Sequence, residues 1–357
     1  MGVYFVFGTK AELIKAAGIL REMGRRKIPY FLVHTGQHAH VEEECKTFGL
    51  PMPHYRITQR KENLKTVREM AFWLIKGFFS GMGKNIFRKG DLVLVHGDTE
   101  STLLTTIIAK LKRCKLAHIE GGLRSWDIIN PFPEEAIRRF TDTFSDYIFV
   151  PNDWAASNLR KTKKKGEVIN TYLNPSYDSL KYTLSKKTHI EIPKGKYVVV
   201  LFHRKENLYM KDSLYKGIKI IREIVNRHKT LFVLSKNSKH VLKKTGFYDE
   251  LARNKNVTFK DYYDFKDFVH VVNGAEFVAT DGGSLQEETY LLNKPILLLR
   301  KKTERIEGLG ETACLTNFDF KKAMRFLDNY KSFKRKGKVG DRKPSEIICD
   351  KIEEIIK

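Results

Sequence analysis

"KYVVVLFHR", Lys196 to Arg204, decides the fold. It is a strand-length run of apolar residues that ends on two polar ones, His203 and Arg204, and it restarts a pattern already completed once upstream. The first series is "VYFVFG" at 3–8, "YFLVHTG" at 30–36, "DLVLVHGD" at 91–98, "LAHIEGG" at 116–122 and "YIFVPN" at 147–152. The second begins at 196 and continues with "TLFVLSK" at 230–236, "VTFKDYY" at 257–263, "EFVATDGG" at 276–283 and "PILLLR" at 295–300. Helical patterns lie between the runs. Strands alternating with helices build a parallel sheet, and runs apolar throughout suit strands covered on both faces. Two doubly wound α/β domains follow, at 1–174 and 175–342. A final amphipathic helix within 343–357, starting near Ser345, is expected to pack back on the first domain.

In doubly wound sheets ligands bind beyond the carboxyl ends of the strands. The unusual polar clusters fall there: "GTK", "HTGQH", "HGDTEST", "HIEGG", "HRKEN" and "TDGGS". An active site in a cleft between the two domains is the expectation.

Composition narrows the partners. The chain has 357 residues, 41% of them hydrophobic, and a formal net charge of +24, so it can bury a sizeable core and should attract anions. Its lysine-rich runs, "RKTKKKG" at 160–166 and "KSFKRKGKVGDRK" at 331–343, lack aromatics at stacking spacing, which argues against nucleic acid. No apolar run reaches the roughly 20 residues that span a bilayer, and the opening lacks a cationic leader, so the expected compartment is the cytoplasm without membrane insertion. The four cysteines show no CxxC spacing; they read as buried thiols, not as a zinc or disulfide framework.

Carboxylates concentrate in "HIEGGLRSWDIINPFPEEAIRR", His118 to Arg139. Glu120 and Asp98 end neighbouring strands about 4.8 Å apart, and Glu134 and Glu135 open a helix after Pro133, with Arg138 and Arg139 as nearby counter-charge. Crowded carboxylates suit proton transfer, although Asp98 reads equally as a helix cap. The turn Gly282, Gly283, Ser284 runs from a strand into a helix, where backbone can approach a phosphate. Gln286, Glu287 and Glu288 lie one turn on, where a carboxylate suits a ribose diol. The "GTK" turn brings Lys10 and Lys15 but is neither GxGxxG nor a Walker pattern, so NAD binding and ATP hydrolysis are not inferred. His203 has the chemistry to titrate and Arg204 to clamp a phosphate. His34, His38 and His40 have no carboxylate at ligand spacing, which disfavours a metal.

Taken in order, "HTGQH", "HGDTEST", "HIEGGLRS", "NPFPEEAIRR", "HRKEN", "DFKDFVHVVNGAEFVATDGGSLQEE" and "TERIEG" resemble the signatures of the UDP-N-acetylglucosamine 2-epimerase family, non-hydrolysing type, over about Phe5 to Leu309. The resemblance implies a GT-B type pair of Rossmann-like domains. It implies inversion at C2 of a UDP-linked N-acetylhexosamine through a glycal, without NAD or metal, in a homodimer. Asp98, Glu120, Glu134 and His203 then match acid/base positions, and Lys15 and Arg138 cationic ones. Gly282, Gly283 and Ser284 match the diphosphate turn, Glu288 the ribose contact and Phe268 the uracil-side segment. Thr303, Glu304 and Arg305 match a late "TER" bordering the cleft, and Lys10 a phosphate-facing cation.

The chain departs from the pattern at Lys10-Ala11, where the family has Arg-Pro. It departs again at Asp281-Gly282-Gly283-Ser284, in place of Asp-Ser-Gly-Gly, and at Phe202, Ser235-Lys236-Asn237 and His40. Four other readings stay open: a hydrolysing 2-epimerase, an epimerase of a diacetamido uronate, a GT-B glycosyltransferase, and a non-enzymatic nucleic-acid binder driven by net charge.

Overall fold

The computed structural model describes residues 1–64, 66–127, 133–162, 166–188, 190–337, 339–340 and 343–357. Asn130, Pro131 and Phe132 of the "NPFPEE" stretch, and part of both lysine-rich runs, lie outside the described residues. Two compact units form, Met1–Tyr182 with Gly340–Lys357, and Thr183–Val339.

The first unit runs β1 (Val3–Phe7), α1 (Lys10–Arg25), β2 (Phe31–His34), α2 (Glu42–Phe48), β3 (Tyr55–Arg56), α3 (Val67–Gly83), β4 (Leu92–His96), α4 (Glu100–Leu111), β5 (Lys115–Ile119), α5 (Glu134–Phe144), β6 (Tyr147–Val150), α6 (Asp153–Lys161), β7 (Glu167–Asn170) and α7 (Ser176–Leu184). Its seven strands are all parallel, in the order β3-β2-β1-β4-β5-β6-β7. β1 and β4 are buried along their whole length, because helices cover both faces of the sheet centre.

The second unit runs β8 (Val198–Leu201), α8 (Lys205–Leu208), α9 (Lys211–Arg227), β9 (Thr230–Leu234), α10 (Lys236–Lys244), α11 (Phe247–Ala252), β10 (Val257–Asp261), α12 (Phe265–Gly274), β11 (Val278–Thr280), α13 (Gly283–Leu291), β12 (Ile296–Leu298), β13 (Ala313–Leu315) and α14 (Phe320–Asn329). Its six parallel strands follow the order β10-β9-β8-β11-β12-β13. Both sheets thus reverse direction beside their first strand, between β1 and β4 and between β8 and β11, which is where such sheets open a crevice at their carboxyl ends.

The last helix, α15 (Pro344–Ile356), returns to the first unit. Ile348, Cys349 and Ile352 join the core that α1 covers, and Arg26 at the end of α1 pairs with Asp350 at 2.6 Å. Pro344 at the first helical position suits a site whose N–H has no partner inside the helix.

The strand ends of the first unit are held by a buried carboxylate. Thr9 caps α1 and accepts from the Glu12 amide, while Glu12 Oε2 accepts from the amides of Thr9 at 2.7 Å and Gly8 at 2.9 Å, a reciprocal capping box. Glu12 Oε1 takes the hydroxyl of Thr99, the cap of α4, at 2.7 Å. The starts of α1 and α4 are therefore tied together, and burial raises the Glu12 carboxyl above its ordinary range. All four cysteines are buried and unpaired; burial pushes the thiols of Cys45 and Cys114 up to about 11, which keeps them unreactive. No described helix is long and apolar enough to cross a membrane.

Candidate active site

Glu120 is the residue immediately after β5, and its backbone is left-handed, with φ 68°. A side chain other than Gly in that region costs about 1–2 kcal/mol and persists only where its surroundings hold it. They do so through the carboxylate. Lys15 Nζ donates to both oxygens at 3.0 and 2.9 Å, Asn174 Nδ2 donates to Oε1 at 2.7 Å, and His96 Nδ1 stands 3.7 Å from Oε2. Gly122, two residues on, also has positive φ, and a side-chain carbon there would meet the Ala155 carbonyl oxygen at 2.5 Å, so the turn needs glycine.

Asp98, just past β4, ion-pairs with Arg138. It is not a helix cap, because Thr99 caps α4. Arg138 also donates to Glu135 at 2.9 Å, as Arg139 does at 2.8 Å, and Glu135 accepts the Ser125 amide at 3.0 Å. Glu135 is therefore committed to holding the loop and the helix. Glu134 is the first residue of α5, where the helix's positive end favours a carboxylate. The crowding expected between carboxylates is relieved inside this unit, where Lys15, Arg138 and Arg139 balance them.

The matching position in the second unit has different chemistry. His203 follows β8 and Asp281 follows β11. Asp281 accepts the amides of His203 at 3.0 Å and Arg204 at 2.9 Å and the Asn207 side-chain amide at 3.0 Å, and His203 Nδ1 lies 3.2 Å from its Oδ1. Burial raises the Asp281 carboxyl, but these donors and the His203 ring outweigh it and leave it below the usual range. One carboxylate thus shapes the whole "HRKEN" turn.

Gly282 is the cap of α13 and Gly283 its first residue. A side-chain carbon at Gly282 would sit 3.0 Å from His203 Cε1, and one at Gly283 2.6 Å from Glu304 Oε1 and 3.3 Å from Arg300 Nη1. The bare backbone of a helix start, with its outward N–H groups, therefore lies beside guanidinium groups, an arrangement that accepts an anion. Arg300 donates to Glu304 at 2.8 Å, and Arg204 stands 3.8 Å from it. Burial pushes the Glu304 carboxyl up, but Arg300, Arg204 and Arg305 bring it down to about 2.

Arg305 pairs with Glu287 at 3.1 Å. Thr303 donates to Gln286 at 2.7 Å, and the Gln286 amide donates to the carbonyls of Arg305 and Glu307 at 3.2 and 2.9 Å. The "TER" segment is in this way fastened to α13. Ser284 is exposed and Glu288 half-buried on the same helix. Phe268, half-buried on α12, stacks on Tyr263 with ring centroids 6.4 Å apart.

The structure therefore brings Lys15 and Glu120 together, Asp98 and Arg138 together, and His203 and Gly282 together, with Gly283 beside Glu304 and Arg305. Lys10 goes elsewhere, to Glu44 of α2 at 2.7 Å. The three histidines of "HTGQHAH" are dispersed as well. His34 stacks on Phe7 at 5.0 Å and is lowered to about 4 by burial and Arg56, His38 accepts the Lys10 amide at 3.3 Å, and His40 is exposed. Among the described residues no three His, Cys, Asp or Glu side chains are grouped to hold a metal ion. Sequence reasoning missed Asn174, Asp281 as an anchor, and Arg300. The last two are polar residues terminating apolar strand runs, a signal that was available; Asn174 carries none.

Two parallel, doubly wound units with these sets at their strand ends define a GT-B class α/β protein, and solved structures of that class match nearly the whole chain. The UDP-N-acetylglucosamine 2-epimerase of Methanocaldococcus jannaschii, solved in complex with UDP-GlcNAc and UDP, is 26% identical with a TM-score of 0.82, covering 99% of this chain and 100% of that one. In sequence, the UDP-N-acetylglucosamine 2-epimerase of Methanococcus maripaludis is 30% identical over 328 residues, 85% of this chain and 84% of its own length. That of Bacillus subtilis is 29% identical over 314 residues, 86% and 80%. The UDP-N-acetylglucosamine 2-epimerase family model matches residues 21–344. The chain belongs to the UDP-N-acetylglucosamine 2-epimerase family.

Proposed function

We propose that the protein interconverts UDP-GlcNAc and UDP-ManNAc without hydrolysis, supplying a precursor for surface polysaccharide. A carboxylate removes the C2 proton, the C2–H electron pair becomes a C1=C2 double bond, and the C1–O bond breaks with its electrons leaving on UDP. Return of a proton to C2 from the other face, and re-addition of UDP at C1, complete the inversion. Two faces require acid/base groups at two positions, and Asp98, Glu120 and Glu134 supply them, with His203 as a further proton carrier. The departing diphosphate is received by the start of α13 at Gly282, Gly283 and Ser284 and by the nearby cations, including Arg305. Arg138 and Lys15 orient the carboxylates, Glu288 contacts the ribose and Phe268 the uracil side.

The observation that carries this reading is Glu120. It is a buried carboxylate held in a left-handed backbone by a lysine and an amide, the sort of strain that clusters at working sites. The test is proton NMR with UDP-GlcNAc in D2O. UDP-ManNAc should appear, with deuterium at C2 of both isomers; free ManNAc and UDP would replace this reading with the hydrolysing one.

A homodimer belongs to the same proposal. Phe72, Ile75 and Phe79, at 67%, 58% and 69% exposure, line one side of α3, and a contiguous apolar stripe of this kind favours coverage by a second copy.

A further inference from the structure

Beneath the carboxylate set lies a group of side chains to which the reaction above gives no role. His118 of β5, Asp142 of α5 and Arg124 are each no more than 1% exposed. His118 Nδ1 is 2.7 Å from Asp142 Oδ1, and its Nε2 is 2.8 Å from the carbonyl oxygen of Gly97. Asp142 Oδ2 faces Arg124 Nη2 at 2.7 Å and accepts the Gly122 amide at 3.3 Å. Facing the Arg124 guanidinium and accepting the Gly122 amide, Asp142 is a carboxylate. Both ring nitrogens of His118 therefore face acceptors. A neutral imidazole has one N–H and one lone pair, and either tautomer would set that lone pair against an oxygen where no water can intervene.

We infer that His118 carries a proton on both ring nitrogens and is a positioning residue: as a cation it bridges the Asp142 carboxylate to the Gly97 carbonyl and so sets the spacing of Asp98 and Glu120. The geometry gives it that leverage. The pairing of β4 with β5 ends at His96 and Ile119, and the Gly97 amide makes one more bond, to the Ile119 carbonyl at 2.9 Å. Beyond that point the ladder ends, and each strand end leads into its own turn. Gly97 directly precedes Asp98, and His118 stands two residues before Glu120. The imidazolium adds a side-chain tie between the two strand ends at this level, and Asp142 reaches it from α5, the helix that also carries Glu134 and Arg138.

The positioning role rests on the epimerase reading; the double protonation does not. The first measurement is therefore NMR of the full chain labelled with 15N-histidine, with the His118 ring identified by its loss in His118→Gln. Two protonated nitrogens are expected, and one bare nitrogen overturns the inference. Next comes Asp142→Asn, whose amide can donate to Nδ1 and leave a neutral ring that still bonds Gly97. The expected result is kcat lower by about ten- to a hundredfold, KM unchanged, and one bare nitrogen in the His118 spectrum. Unchanged kcat with a neutral ring overturns the positioning role. Should Asp142→Asn not fold, His118→Gln, which keeps one donor without charge, is read for the same kcat loss at constant KM. If the native protein epimerises no UDP-hexosamine, the functional reading fails, and the nitrogen signals still decide the protonation of His118.

Discussion

The two sheets share a topology and differ at their carboxyl ends. After β4 and β5 the first unit places Asp98 and Glu120, each matched to a cation of the same unit. After β8 and β11 the second places His203 and a Gly-Gly helix start, with Arg300 beside it and Glu304 between guanidinium groups. One architecture thus carries paired carboxylates in one copy and a glycine helix start beside guanidinium groups in the other. The difference is in the residues that follow the strands, not in the strands, and a parallel sheet permits it because loop chemistry is separable from a core buried on both faces.

The largest expected effect breaks one side of this contrast only. Glu120→Gln should lower kcat by about 10²–10⁴ while UDP affinity by calorimetry stays as it was; an active variant would remove Glu120 from the chemistry. Gly283→Val acts on the other side, since its added carbons collide with Glu304 and Arg300. Overpacking of about 1–3 kcal/mol predicts UDP binding weaker by about five- to a hundredfold, and calorimetry that finds unchanged affinity would move the diphosphate away from α13.

Acid titration sharpens the comparison with a smaller effect. Glu304 is held at about 2 against an ordinary 4.5, so its folded value is depressed. The stability it contributes is present above about 4.5 and is lost as pH falls toward 2. Thermal melts between those limits should fall less steeply in Glu304→Gln, and parallel curves would deny the carboxylate that role. The smallest effect on turnover belongs to the α3 stripe. Phe72→Glu with Phe79→Glu should convert a dimer to a monomer by light scattering and leave kcat per chain nearly unchanged; an unshifted mass would place self-association elsewhere.

Legibility followed burial. The interior strands β1, β4, β8 and β9 are continuous apolar runs because helices cover both of their faces, and they are plain in the sequence. The strands that escape it, β3, β7 and β13, are all at sheet edges, two to four residues long, and β3 and β7 are partly exposed. With one neighbour and a solvated side β3 and β7 need no apolar run, and β13, though buried, is only three residues long. The site divides in the same way. Glu120, His203 and the Gly282-Gly283 turn sit where strands end, a position readable from the pattern. Asn174 reaches Glu120 from 54 residues away, and Lys15 reaches it from 105.

By itself the sequence determined two α/β repeats, the polar clusters at their strand ends and the family, because each rests on local periodicity and on motifs contiguous in the chain. Tertiary structure alone decided the pairing: that Lys15 and Asn174 hold Glu120, that Arg138 rather than a cap holds Asp98, that Asp281 gathers the "HRKEN" turn, and that His118 lies between a carboxylate and a carbonyl. Such pairings depend on which buried charges meet across the fold. A buried charge must find a partner wherever the packing brings one, at a sequence distance that no local pattern records.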